Sequence, residues 1–144
     1  MVFYGVLTED EADKRFDHML EMVRDVPFGK QPIIERSSAT IVGYTGVDWY
    51  EFDNGPGLEF GYRLAPRYRG RGYATEASKA LLDKAAQFFE GEIFAIIDPE
   101  NKPSQNVCEK LGFAFLKRAV LEGDLCNLYR LEVTARRDSE AARP

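Results

Sequence analysis

The sequence predicts a single α/β domain of the α+β type, a mixed, mostly antiparallel sheet flanked by helices. Three observations predict it. Two turn signals, Asp53-Asn54-Gly55-Pro56-Gly57 and Glu122-Gly123-Asp124, each join two β-type runs, as antiparallel hairpins require. The uninterrupted apolar run at residues 93–97 reads as a buried strand with a parallel neighbour. Segments at helical spacing, residues 9–25 and 75–89, flank the strands. With 144 residues, 44% hydrophobic and 12% aromatic, the chain suits one domain with a proper core. That domain is expected over residues 1–134, with a small, polar tail fraying over 135–144.

Each element has a local cause. In Thr8-Glu9-Asp10-Glu11 the threonine caps a helix and Glu11 reaches back. Ala12, Phe16, Met19, Leu20 and Val23 then share one helical face, and Pro27 and Gly29 stop the run, giving a helix over 9–25. His18, the sole histidine, falls on the opposite face and reads as a surface residue, which argues against histidine-centred chemistry. Residues 31–35 form a short strand, 36–38 a turn, and 40–50, rich in β-branched and aromatic residues, a second strand. From residue 58 the chain alternates, with Leu58, Phe60, Tyr62 and Leu64 on one face and Gly57, Glu59, Gly61 and Arg63 on the other. The glycines leave Glu59 on a face cleared of bulk. Pro66 ends this strand. The next helix sets Ala77, Leu81, Ala85 and Phe88 in one stripe and ends at Gly91. After the 93–97 strand, Asp98-Pro99-Glu100-Asn101 breaks the chain. A short helix from 102 or 104 to 111 follows, with Gly112 as its C′ glycine. Residues 113–121 and 125–133 make the last hairpin.

Composition excludes several functions. No apolar run is long enough to cross a bilayer, and residues 1–7 are too short for a signal peptide, so a cytoplasmic protein is expected. Cys108 and Cys126 form neither a disulfide framework nor a metal-ligand spacing, and no metal is expected. A net charge of −5 argues against general nucleic-acid binding, which rests on neutralising phosphates. Arg67, Arg69 and Arg71 make one small basic patch, sized for one small polyphosphate.

That patch lies in Arg67-Tyr68-Arg69-Gly70-Arg71-Gly72-Tyr73-Ala74-Thr75-Glu76, between strand and helix. Gly70 and Gly72 allow a tight turn and close approach of a ligand. The helix that begins at once aims unpaired N–H groups and its positive dipole end at the loop, a phosphate-binding geometry. The Walker loop is excluded because Tyr73 follows Gly72, and the dinucleotide fingerprint because Thr75 stands where its third glycine would. A plain turn into a surface helix is the alternative.

The pattern Arg-x-x-Gly-x-Gly-x-Ala over 67–74 resembles the acetyl-coenzyme A loop of the GNAT acetyltransferase superfamily. Two further segments resemble the same superfamily in matching order and spacing: Glu59-Phe60-Gly61-Tyr62-Arg63-Leu64, and Asn101-x-x-Ser104-x-x-Val107-x-Glu109-Lys110-Leu111-Gly112-Phe113. Together they resemble the branch that includes the RimJ- and RimL-type ribosomal-protein N-terminal acetyltransferases, over residues 7–133. The resemblance implies strands that splay apart around Glu59 and Ile93. Acetyl-CoA would enter that gap, its pantetheine arm pairing with backbone near Tyr62 and Leu64. Its diphosphate would rest on the amides of Arg69, Gly70, Arg71, Gly72, Tyr73 and Ala74, with the Arg69 and Arg71 side chains meeting phosphates. The implied reaction is direct attack of a primary amine, from a protein N-terminus or a small molecule, on the thioester. Glu59 is the expected general base, through a water. Ser104 is the expected proton donor, because Cys108 stands where many members carry a tyrosine. Asn101 would bind the cofactor or a water.

Plainer roles stand beside these: Glu59 as a surface carboxylate or partner of Arg63, Ser104 in helix capping, Asn101 as a turn residue. Two other functions remain open, a non-catalytic acyl-CoA sensor and a single-strand RNA binder using the interleaved arginines and tyrosines of 67–73. Family members usually carry a further strand and helix ahead of the position of Met1. The 31–35 strand is therefore expected to be an open edge, covered by a second copy in a homodimer.

Overall fold

The computed structural model describes residues 8–134; for residues 12, 15, 16, 19, 20, 22, 23 and 25 it describes the backbone alone. The expected apolar face of the first helix and the expected frayed tail therefore lie outside the described residues. The elements in order are α1 (Glu9–Asp25), β1 (Gln31–Glu35), β2 (Thr40–Phe52), β3 (Gly55–Leu64), a 3-10 turn (Pro66–Tyr68), α2 (Tyr73–Ala85), β4 (Gly91–Ile97), α3 (Lys102–Lys110), β5 (Ala114–Leu121) and β6 (Asp124–Val133). Thr8 Oγ1 accepts the Glu11 N–H at 3.2 Å, as a cap should.

Among the described residues six strands form one sheet in the order β1-β2-β3-β4-β6-β5. The β1–β2, β2–β3, β4–β6 and β5–β6 pairs are antiparallel, and β3–β4 is parallel. This is the mixed, mostly antiparallel sheet expected, with β1 at one edge. The last hairpin turns through Glu122 (φ 52°) and Gly123 (φ 85°), both left-handed, as a two-residue turn between twisted strands demands.

Leu81, Leu82 and Ala85 of α2 pack on Val47, Leu58, Phe60, Ile93 and Ala95 in the main core. Burying each leucine contributes about 1.5–3 kcal/mol. Ser78, fully buried on α2, meets Thr45 of β2 at 2.7 Å, so neither hydroxyl is orphaned. A second cluster on the other side of β4 joins Ile96, Cys126 and Leu128 with Tyr50, Phe52 and Phe94.

Helix α2 departs from its expected span, starting two residues earlier and ending four earlier. Gly72, left-handed at φ 81°, is the residue that turns the chain straight into the helix. At the far end the Gln87 and Phe88 N–H groups bond the carbonyls of Lys84 and Ala85, three residues back. This tighter turn swings Phe89 onto Phe28, 5.6 Å between ring centres, and leaves Phe88 exposed instead of in the core stripe.

Candidate active site

The sheet splits where the site lies. β3 and β4 pair only at Leu58–Ile93 and Glu59–Phe94, although they run on to Leu64 and Ile97. Just beyond Glu59 the two strands part. A cleft of about 560 Å³ opens there, between the end of β3, the loop into α2 and the start of α3. Tyr62, Leu64, Arg69, Gly70, Gly72, Ala74, Asn101 and Ser104 all line it. These eight expected site residues, spread over 43 positions of the sequence, are thus brought together.

The α2 end of the cleft is a helix mouth. Gly70 and Gly72 have φ of 75° and 81°, and a Cβ added to either would meet nothing within 4 Å. Glycine is needed there for the backbone conformation, not for space. The first helical bond runs from the Glu76 N–H to the Gly72 carbonyl, at 3.0 Å. The N–H groups of Tyr73, Ala74 and Thr75 precede it, at the positive end of the helix dipole. Arg69 lines the cleft and its Nε donates to the Leu64 carbonyl at 3.3 Å. The Arg71 and Tyr73 side chains go elsewhere. The Tyr73 hydroxyl donates to Glu35 Oε2 at 2.6 Å, and Arg71 Nη1 lies 3.9 Å from the same oxygen. The Tyr73 bond, more than Arg71, holds the Glu35 carboxyl below its ordinary range. These two residues therefore offer the cleft backbone, with their side chains tying the helix start to β1.

At the α3 end, Asn101 caps the helix: its Oδ1 accepts the Ser104 N–H at 3.2 Å. That turns Ser104, buried, so that its Oγ meets the Tyr62 hydroxyl at 3.2 Å. Burial pushes the Tyr62 hydroxyl above its usual value, so it stays protonated at neutral pH and can donate. The Cys108 thiol, buried one turn along, is pushed up to about 12 by desolvation and is inert as an acid–base group. The sequence assigns Tyr62 a backbone role; its hydroxyl also stands beside Ser104, a contact visible only once the strand and α3 face each other.

Glu59 projects to the other face of β3, half-buried. Burial raises its carboxyl, and the nearby Lys30 ammonium works against that rise, while Asp48 and Glu122 add to it. Asp48 is the β2 register partner of Glu59. His18 of α1 is exposed, as expected, yet its Nε2–H donates to Asp48 at 2.9 Å. Sequence reasoning missed Lys30, Asp48 and this use of His18, because no local pattern relates residues 18, 30, 48 and 59. A second cleft of about 530 Å³ shares Asn101 with the first and is lined by Asp98, Glu100, Glu122 and Asp124 beside Tyr50 and Ile96. Among the described residues no group of His, Cys, Asp and Glu is placed to hold a metal ion, and no helix is long and apolar enough to cross a membrane.

The sheet parts beside a carboxylate, and a glycine-opened helix mouth at the gap suits a diphosphate-bearing ligand. The comparisons give the family. Residues 1–114 match the acetyltransferase (GNAT) domain family, and the chain belongs to it. It is 30% identical over 124 residues to an uncharacterised N-acetyltransferase, YnaD, of Bacillus subtilis, covering 83% of this chain and 69% of that one. It is 37% identical over 86 residues to an uncharacterised protein, YkkB, of the same organism, covering 58% of this chain and 49% of the relative, so it spans about half of that relative's length. Among solved structures, a provisionally assigned GNAT-family acetyltransferase of Bordetella pertussis superposes with a TM-score of 0.78 at 26% identity, covering 86% of this chain and 77% of that one.

Proposed function

We propose that the chain is an acetyl-CoA-dependent N-acetyltransferase acting on a primary amine, a protein N-terminus or a small-molecule amine, by direct attack on the thioester. The observation that carries this reading is the parted β3–β4 pair, with a helix mouth on one side of the gap and a desolvated carboxylate on the other. The residues fit the co-substrate: the lining of the 560 Å³ cleft combines free helix-start N–H groups, a cation and an unpaired strand edge.

Acetyl-CoA supplies an acetyl group activated as a thioester. The amides of residues 70–74 would hold its diphosphate, with Arg69 beside them. The edge of β3 at Tyr62 and Leu64 would pair with its pantetheine arm. Only a neutral amine attacks, and a free α-amino group has a pKa of about 7.7–8.0 against about 10.4 for lysine. Glu59, through a water, takes the proton that the acceptor must lose. Ser104 or its partner Tyr62 gives a proton to the departing sulfur. The carboxylate-lined cleft that adjoins at Asn101 concentrates a positively charged amine before it loses that proton. The reading includes a cytoplasmic site of action. It also includes a homodimer whose second copy covers the β1 edge, where the register partners Ile34 and Ile41 are both exposed.

The test is thiol release from acetyl-CoA with a panel of amines: spermidine, lysine, and peptides ending in serine or alanine. Release that depends on the acceptor supports the transferase. Coenzyme A binding with no acceptor-dependent release overturns it in favour of an acyl-CoA sensor.

A further inference from the structure

Gly46 and Gly61 are register partners on β2 and β3, so two adjacent positions on the Glu59 face carry no side chain. Each has a different use. A Cβ on Gly46 would lie 2.5 Å from the backbone of Gly29 and from the Lys30 Cα, and Gly46 has φ +150°. The segment before β1 therefore rests directly on Gly46, fastened by the Val47 N–H to the Phe28 carbonyl at 3.1 Å and by Gln31 Nε2 to the Pro27 carbonyl at 2.7 Å. From there the Lys30 side chain runs out over Gly61. A Cβ on Gly61 would lie 3.9 Å from Lys30 Cε, 4.0 Å from Lys30 Nζ and 3.9 Å from Glu59 Oε1. Ammonium and carboxylate border the same methyl-sized space.

We propose that Lys30 is a positioning residue of the transfer reaction: set across Gly61 by the Gly46 contact, its ammonium orients the Glu59 carboxylate and keeps it in the charged form that accepts the acceptor's proton. The inference rests on the reading of Glu59 as the base. Burial alone would favour the protonated carboxyl, which cannot take a proton. Among the described residues, the other charges that act on Glu59 do not help, since Asp48 on β2 and Glu122 in the β5–β6 turn are both acidic. His18 on α1 is bonded to Asp48 and offsets part of that charge only when protonated. Among the described residues, Lys30 is the cation whose side chain borders the same space as the Glu59 carboxylate. The Tyr44 ring, 5.8 Å from Nζ, helps hold the lysine stem in place.

The test is direct titration of the Glu59 carboxyl by NMR, with carbon-13-labelled glutamate and a Glu59→Gln sample for assignment. It needs neither acceptor nor turnover, so its failure is separate from a failure of the transferase reading. An opposite charge within about 4–6 Å shifts a carboxyl by about 1–3 units. Lys30→Met is expected to move the Glu59 midpoint up by about one unit, about tenfold in the dissociation constant, and Lys30→Arg to restore most of it. Asp48→Asn, which removes a repelling carboxylate, is expected to move the midpoint down. Coenzyme A binding by Lys30→Met should match that of the native chain. A Glu59 midpoint unmoved in Lys30→Met, or moved equally in Lys30→Met and Lys30→Arg, overturns the proposal. Should Lys30→Met not fold, Lys30→Gln gives the same reading by the same criterion.

Discussion

Replacing Gly72 by glutamate separates the loop as a turn from the loop as a phosphate site. Gly72 sits at φ 81°, ψ 3° as the N-cap of α2. An L side chain in that conformation costs about 1–2 kcal/mol. A Cβ there meets nothing within 4 Å, so no clash adds to it. Gly72→Ala measures this backbone cost alone, and should lower the melting temperature by about 2–4 °C per kcal/mol for a chain of this size. Gly72→Glu adds a carboxylate at the cleft wall. Two like charges about 4 Å apart repel by about 1 kcal/mol in bulk water and about 4 kcal/mol near a protein surface. Coenzyme A affinity should then fall by about fivefold to about a thousandfold beyond the alanine variant. Isothermal calorimetry with coenzyme A reads it directly, and the loss should shrink as salt is added. A folded Gly72→Glu chain that binds coenzyme A within twofold of Gly72→Ala would show that the loop is only a turn.

Glu59→Gln should cut turnover by on the order of 10²–10⁴, most strongly below the pKa of the acceptor amine; a rate unchanged across pH removes Glu59 as the base. The same change should raise stability. Burial lifts the folded carboxyl above its usual value, so the native chain keeps its full stability below the unfolded carboxyl's pKa of about 4.3 and loses some as pH rises through the folded value. Melting curves should therefore favour Glu59→Gln at pH 8 and converge near pH 4; a less stable variant at pH 8 contradicts the sign. Ser104→Ala should lower kcat by about a hundredfold if its hydroxyl is the donor, whereas a near-native Ser104→Ala with a deficient Tyr62→Phe moves that role to Tyr62. Ile34→Lys places a charge on the exposed β1 edge and should convert a dimer to monomers in sedimentation; a native chain that is already monomeric ends the homodimer reading.

The legible parts of this fold are those with a local cause. The capping box, Pro27 and Gly29 bound α1 correctly, and the alternation at 58–64 assigned Glu59 and Phe60 to opposite faces. The glycine loop, Asn101 and Ser104 stand in short motifs, and they converge on one cleft. What escaped depends on tertiary contact. Phe88 continues the helical stripe in sequence, but the tighter turn at residues 84–88 takes it out of the core. Tyr73 and Arg71 belong to the loop by motif, yet Glu35, 36 or more residues earlier, draws their side chains to β1. Lys30 has no motif at all. Its role depends on Gly46 admitting a neighbouring backbone, and a glycine inside a strand does not announce what it makes room for.

The most direct measurement is a crystal structure of the chain with coenzyme A. The diphosphate is expected within hydrogen-bond distance of the N–H groups of residues 70–74 and the pantetheine arm between β3 and β4, with its sulfur near Tyr62 and Ser104. Coenzyme A bound elsewhere, or a cleft that stays empty at saturating ligand, would contradict it.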